Sequence, residues 1–138
     1  MKRNINIVSN SYRTSIKDFE SCSIDNVNSM VDCSVDNIVF FCMDGMEKNT
    51  AKQTLHLLCE KLRPEGRIAI KFIDIKNICL DYIKNKIGND DFIKLIKNIE
   101  NPLSLDEIIT YIDISRFKIV NITRNNTDII INIIKTTI

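Results

Sequence analysis

The sequence predicts an α/β domain: a mostly parallel sheet with flanking helices and an antiparallel hairpin at its C-terminal end. Two observations predict it. The first is the order strand, helix, strand in the middle of the chain: 38–43 is an unbroken apolar run, Ala51, Leu55, Leu58 and Leu62 recur at spacings of four, three and four, and 67–72 is a second, mostly apolar run. A continuous apolar strand is expected to be buried on both faces, and two such strands joined through a helix lie parallel in one sheet with a right-handed crossover. The second is the pair of apolar runs 117–123 and 127–134, separated by Asn125-Asn126, since asparagine tolerates the positive φ of a tight hairpin turn.

At 138 residues the chain is long enough to bury a core of its own, and one domain spanning 1–138 accounts for it. Hydrophobic residues make up 44%, charged residues 27%, and the net charge is +1, which sets the chain apart from disordered sequences and leaves a nucleic-acid role without electrostatic support. Lys2 and Arg3 are followed by Asn4, Asn6, Ser9 and Asn10, so no apolar stretch of signal-peptide length stands near the N-terminus, and no run elsewhere could span a bilayer. A soluble, intracellular protein with no membrane partner is expected. The five cysteines, Cys22, Cys33, Cys42, Cys59 and Cys79, are odd in number and none are spaced C-x-x-C. Free thiols in a reducing compartment are expected, in place of a zinc site or a disulfide framework.

In chain order, 5–8 is a short apolar first strand. The polar stretch 9–15 follows, and 16–25 admits a brief helix, a second strand around 21–24, or both in abbreviated form. From 26 to 36 the chain is polar and turn-like. The central helix begins near Glu47 or Asn49 and ends before Pro64, because proline disfavours the helical region for the residue preceding it. Pro64-Glu65-Gly66 makes the turn. Ile78, Cys79, Tyr82, Ile83 and Ile87 fit a helix that Gly88 stops, and Asn89 or Asp90 caps the next, whose Phe92, Leu95, Ile96 and Ile99 fall at i, i+3, i+4 and i+7. After Pro102, Ser104 to Glu107 reads as a capping box, in which the serine oxygen and the glutamate carboxylate each satisfy an orphan amide. Leu105, Ile108, Ile109 and Ile112 continue that helix.

Asp32-Cys-Ser-Val-Asp36, the run 38–43 and Leu62-Arg-Pro-Glu-Gly-Arg67 together resemble the second half of a class I S-adenosylmethionine-dependent methyltransferase. In that family an acidic D-x-S-x-D segment leads into the fourth strand, and an L-K-P-G-G-R-like turn enters the fifth. The C-terminal hairpin matches the antiparallel pair with which the family closes its sheet. The likeness covers 32–138, and the chain is similar to the short methyltransferase-like proteins encoded in phage genomes.

The resemblance implies a Rossmann-like methyltransferase fold, truncated on its N-terminal side. The family cradles the methionine moiety of its cofactor on a glycine-rich loop after the first strand, because only residues without Cβ let the backbone approach that closely. Here 5–8 is followed by Ser9-Asn10-Ser11, and the three glycines, Gly45, Gly66 and Gly88, all lie beyond the first forty residues. By the resemblance, Ser9 and Asn10 stand where the cradle would be, and Asp25 where an acid would hold the ribose hydroxyls. Met43 and Asp44 stand at the carboxyl edge after the fourth strand, where open α/β sheets place ligands. Plain structural readings stand beside these: Asp25 as a turn former, and Cys42-Met43-Asp44-Gly45 as a loop with its turn at Gly45. A βαβ unit takes about 30 residues or more, so the stretch between Val8 and Ile38 holds one crossover. At least one strand and one helix of the family pattern are expected to be missing there.

The expectation is a degenerate methyltransferase-like protein, with S-adenosylmethionine bound weakly or not at all, serving as a non-catalytic accessory or interaction subunit. If phage-encoded, it would sit in the host cytoplasm or the virion. The alternatives are a small active methyltransferase and a structural subunit of a viral assembly. His56, the sole histidine, lies just off the apolar stripe and reads as solvated or half-buried. Lys84, Lys86, Lys94 and Lys97 form a solvated face. With few residues to build neighbours for it, the first strand or a stunted neighbour becomes a sheet edge, and 129–134 would be hazardous if left bare. A homo-oligomer or a protein partner is expected to cover one of these edges.

Overall fold

The computed structural model describes residues 2–10, 12–97, 99, 102–125 and 127–136. Ser11 and Asn126 lie outside the described residues, so the loop after the first strand and the hairpin turn are described by their flanks. The chain begins with β1 (Asn4–Ile7), β2 (Glu20–Cys22), α1 (Ile24–Asn28) and β3 (Val35–Phe40). A 3-10 turn at Met43–Gly45 leads into α2 (Lys48–Lys61) and β4 (Leu62–Ile73). Three helices follow, α3 (Ile75–Ile83), α4 (Asn89–Lys97) and α5 (Leu105–Thr110), and then β5 (Phe117–Asn125) and β6 (Asp128–Lys135). The strands form one six-stranded sheet in the order β2-β1-β3-β4-β6-β5. β2, β1, β3 and β4 run parallel, while β6 is antiparallel to both of its neighbours. The expected α/β class, with its C-terminal antiparallel hairpin, is the observed one.

The two faces of the sheet differ. Ile5, Ile7, Ile38, Phe40, Ile68, Ile70, Phe72 and Ile131 are fully buried in one cluster with Val27 of α1, Leu55 and Leu58 of α2 and Ile108 of α5. Burying each such side chain stabilises the fold by about 1.5–3 kcal/mol. Residues alternating with these point the other way, and there Asn37, Val39, Ala69, Lys71, Ile130 and Asn132 are only half-buried. The expectation of a central strand buried on both faces is therefore corrected: α1, α2 and α5 all pack into the core of one face. On the outer face near β1 the cover is the segment that follows it, for Asn6 is buried and its Nδ2 donates to the Thr14 carbonyl at 2.7 Å.

Several boundaries move for local reasons. β3 starts at Val35, which pairs with Leu62, and ends at Phe40, so Met43 belongs to the turn beyond the strand. Asn37 pairs with Arg67, which leaves residues 63–66 looped out of β4 as a bulge. The expected Pro64-Glu65-Gly66 turn is this bulge, with Glu65 at φ 70°. A Cβ on Gly66 would lie 2.7 Å from the Arg63 carbonyl oxygen, so the close approach admits no side chain. In the stretch 16–36, the strand is β2 and the helix is α1, whose N-cap Ser23 accepts from the Asn26 N–H at 3.3 Å. α3 stops at Ile83, short of Gly88, because Asn85 adopts the left-handed conformation (φ 58°) that ends a helix. Half of the expected capping box is present. Ser104 Oγ accepts from the Glu107 N–H at 3.3 Å, but the Glu107 carboxylate reaches Lys48 of α2 at 3.2 Å instead.

β1 lies between β2 and β3, so on that side the edge is the stunted neighbour, three-residue β2, and β6 lies between β4 and β5, so 129–134 is not an edge. The sheet ends at β2 and β5. Two lysines are buried. Lys61 Nζ donates to the Met30 carbonyl at 2.8 Å and pairs with Asp32 at 2.7 Å, while Lys135 Nζ donates to the carbonyls of Cys59 and Leu62 at 3.0 and 2.8 Å. The Lys135 ammonium thus sits at the C-terminal end of α2, where the helix carbonyls favour a cation.

Candidate functional site

Because four strands run parallel, their carboxyl ends lie on one side, and the residues after them form a common edge. After β1, the Ser9 N–H donates to the Tyr12 carbonyl at 2.8 Å, and the Tyr12 N–H returns to Ser9 Oγ at 3.2 Å. This is a turn closed on itself. Asn10 is exposed, and its Oδ1 accepts from Arg13 at 3.3 Å. After β3, the Cys42 thiol donates to the Ile7 carbonyl at 3.8 Å, which ties the ends of β1 and β3 together. Burial pushes this thiol up to about 11, with its hydrogen bond to Ser9 pulling the other way. Cys42 is thus a protonated structural thiol at neutral pH.

Met43 is fully buried in the core cluster. Asp44 Oδ1 accepts from the Ile73 N–H at 2.9 Å and so latches the turn after β3 to the end of β4. Burial raises the Asp44 carboxyl above its ordinary range, against the pull of that N–H. Asp25 stands apart. It is exposed in the first turn of α1 and borders a hollow of about 270 Å³ shared with Thr50, Gln53 and Leu57. The structure therefore brings Ser9, Met43 and Asp44 to the carboxyl edge and leaves Asp25 facing α2.

Two further groups of polar residues lie away from the residues expected to hold the cofactor. At the end of β4, buried Asp74 caps α3 by accepting from the Lys76 N–H at 2.9 Å, and buried Asn77 accepts from Arg124 of β5. These residues border a hollow of about 130 Å³ with Lys76 and Asp106. An aspartate before a helix is a recognisable cap signal, but nothing local links Asn77 to a residue 47 positions later. At the opposite edge of the sheet, His56, Cys59, Glu60, Asp113 and Arg116 border a hollow of about 270 Å³. His56 is exposed, with Nε2 at 3.3 Å from the Tyr111 carbonyl. Burial pushes the Cys59 thiol up to about 12, which removes it as a nucleophile. Among the described residues, no cluster of three or more His, Cys, Asp or Glu could hold a metal ion, and no helix is long and apolar enough to cross a membrane.

No protein-family model matches the chain, and no curated protein matches it in sequence. Solved structures do match its fold. The PH0226 protein of Pyrococcus horikoshii aligns with a TM-score of 0.60 at 15% identity, over 86% of this chain and 60% of that one. A SAM-dependent methyltransferase from Archaeoglobus fulgidus aligns with a TM-score of 0.61 at 9% identity, over 97% of this chain and 86% of that one. The 1,6-didemethyltoxoflavin-N1-methyltransferase of Burkholderia thailandensis, solved with S-adenosylhomocysteine, aligns with a TM-score of 0.55 at 14% identity, over 86% of this chain and 50% of that one. The chain thus spans 60% of the Pyrococcus protein and half of the Burkholderia enzyme. At these identities the likeness is one of fold, and the fold is the Rossmann-like one of S-adenosylmethionine-dependent class I methyltransferases.

Proposed function

We propose that this chain is a methyltransferase-fold protein that does not transfer methyl groups efficiently by itself and acts as an accessory or interaction subunit. The observation that supports this reading is the way the carboxyl edge is closed by its own residues. A cofactor cradle needs free backbone N–H groups at close approach, and the Ser9 N–H is engaged by Tyr12. Met43 belongs to the core, the Asp44 oxygen is engaged by Ile73, and the segment after β1 rests on Asn6. Asn6 Oδ1 is buried there without a hydrogen-bond partner. S-adenosylmethionine fits this arrangement poorly. Fold alone does not supply an activity.

Calorimetric titration of the purified chain with S-adenosylmethionine and S-adenosylhomocysteine tests the reading. No heat of binding at micromolar ligand is expected. A dissociation constant in the low micromolar range for either ligand would overturn it and would make Ser9, Asn10, Asp25 and Asp44 the residues to substitute. One observation favours a second reading, a small working methyltransferase: the alignment spans 86% of the Archaeoglobus enzyme, so brevity does not exclude methyl transfer. The same titration decides between the two.

A further inference from the structure

The sheet has two edges, three-residue β2 and nine-residue β5. β5 therefore presents the longer row of N–H and C=O groups without a neighbouring strand, which is a template for another extended chain. Val120 and Ile122 are 44% and 41% exposed on it. From 116 to 125 the charged residues are Arg116, Lys118 and Arg124, with no carboxylate. Each end of β5 also borders a hollow: Arg116 and Phe117 do so at the start of the strand, and Arg124 at its end. Phe117, Ile122 and Arg124 pair with buried Lys135, Ile131 and Ile129, so all three lie on the helix-covered face.

The charges select among occupants. A second copy of β5 would bring a second set of these cations and no carboxylate to the edge, and like charges brought together across a strand pair destabilise it. An acidic strand meets no such penalty. The irregularity at Val120 interrupts the β5–β6 register and bends the edge, so a docked segment pairs in short runs on either side of it.

We infer that β5 is a docking edge for an extended acidic segment of a partner protein, which adds to the sheet with carboxylates facing Arg116 and Lys118 on the outer face and an apolar side chain beside Ile122 on the helix-covered face. Main-chain hydrogen bonds supply the affinity, and the cations of Arg116 and Lys118 supply the side-chain preference. This inference rests on the reading of the chain as an interaction subunit.

The test is fluorescence anisotropy of the full chain with two labelled, end-capped peptides of about eight residues, the length of a typical strand. One alternates glutamate with valine and the other alternates lysine with valine. The acidic peptide is expected to bind at least roughly tenfold more tightly than the basic one, with affinity falling as salt rises. The double variant Arg116→Glu/Lys118→Glu, at an unchanged melting temperature, is expected to reverse the preference. Absence of acidic-peptide binding, equal binding of both peptides, or a variant that keeps the acidic preference overturns the inference. Light scattering that shows a dimer dissociated by Lys118→Glu assigns the edge to a second copy and overturns it too. The cofactor titration reads a different ligand at a different edge, so the two readings fail separately.

Discussion

The helix-covered face and the outer face of the sheet are built from the same strands, yet they solve different problems. On β4, Ile68, Ile70 and Phe72 vanish into the core, while their alternates Ala69, Lys71 and Ile73 stay half-buried. The outer face can therefore hold amides and charges, and apart from the buried Asn6 Oδ1 several of them satisfy one another. Asn37 Nδ2 donates to Asn4 Oδ1 at 2.7 Å, Asn132 Nδ2 donates to Asn121 Oδ1 at 2.7 Å, and Lys71 pairs with Asp128 at 3.6 Å while lying over the Phe41 ring. On the covered face an unpartnered polar group would cost several kcal/mol. Burial on both faces is thus a property of the layers packed against a parallel sheet, and a strand with helices on one side alternates like an antiparallel one.

The largest expected effect breaks this comparison if it fails. Phe40→Asp places an unpaired carboxylate in the covered core at a cost of several kcal/mol, comparable with the roughly 5–15 kcal/mol by which domains are stable, so the variant is expected to unfold. Ile7→Lys should do the same, since Ile7 is a core residue of an interior strand. Val39→Asp, one position away on the outer face, is expected to lose only about 1–2 kcal/mol and remain folded, and Lys84→Asp to stay within about 0.5 kcal/mol. Thermal melts followed by circular dichroism read all four, and equal losses at Phe40 and Val39 would erase the distinction between the faces.

Smaller effects sharpen the comparison at the ends of β4. Gly66→Ala drives a methyl group against the Arg63 carbonyl and should cost about 1–3 kcal/mol, seen as a lower urea midpoint. An unchanged midpoint would mean that the bulge opens without strain. At the other end, the raised pKa of Asp44 means that the folded state binds its proton more tightly than the unfolded chain does. Its contribution is then fully present below the ordinary carboxyl value of 3.8 and is lost as pH rises through the folded value. Asp44→Asn keeps an acceptor for the Ile73 N–H and removes the desolvated charge, so it is expected to raise the melting temperature at neutral pH. A lower melting temperature would show that the carboxylate charge itself holds the latch.

Local chemistry was legible in the sequence wherever it is written within a few residues. The apolar spacing of Ala51, Leu55 and Leu58 marks α2, Ser104 marks the start of α5, and the two apolar runs flanking Asn125 mark the hairpin. The scarcity of glycine after β1 is likewise a local fact, with Ser9 standing there instead. Other features are decided by partners far away along the chain. The Lys135 ammonium is buried because the carbonyls of Cys59 and Leu62 meet it, the edge beside 5–8 falls to its stunted neighbour β2, and the Asp44 carboxylate receives an N–H from Ile73. Periodicity reports which side of a helix or strand is apolar, because side-chain direction follows from backbone geometry. Only the tertiary structure decides what that side meets, because burial and the pairing of polar groups depend on residues that the chain brings together from dozens of positions apart.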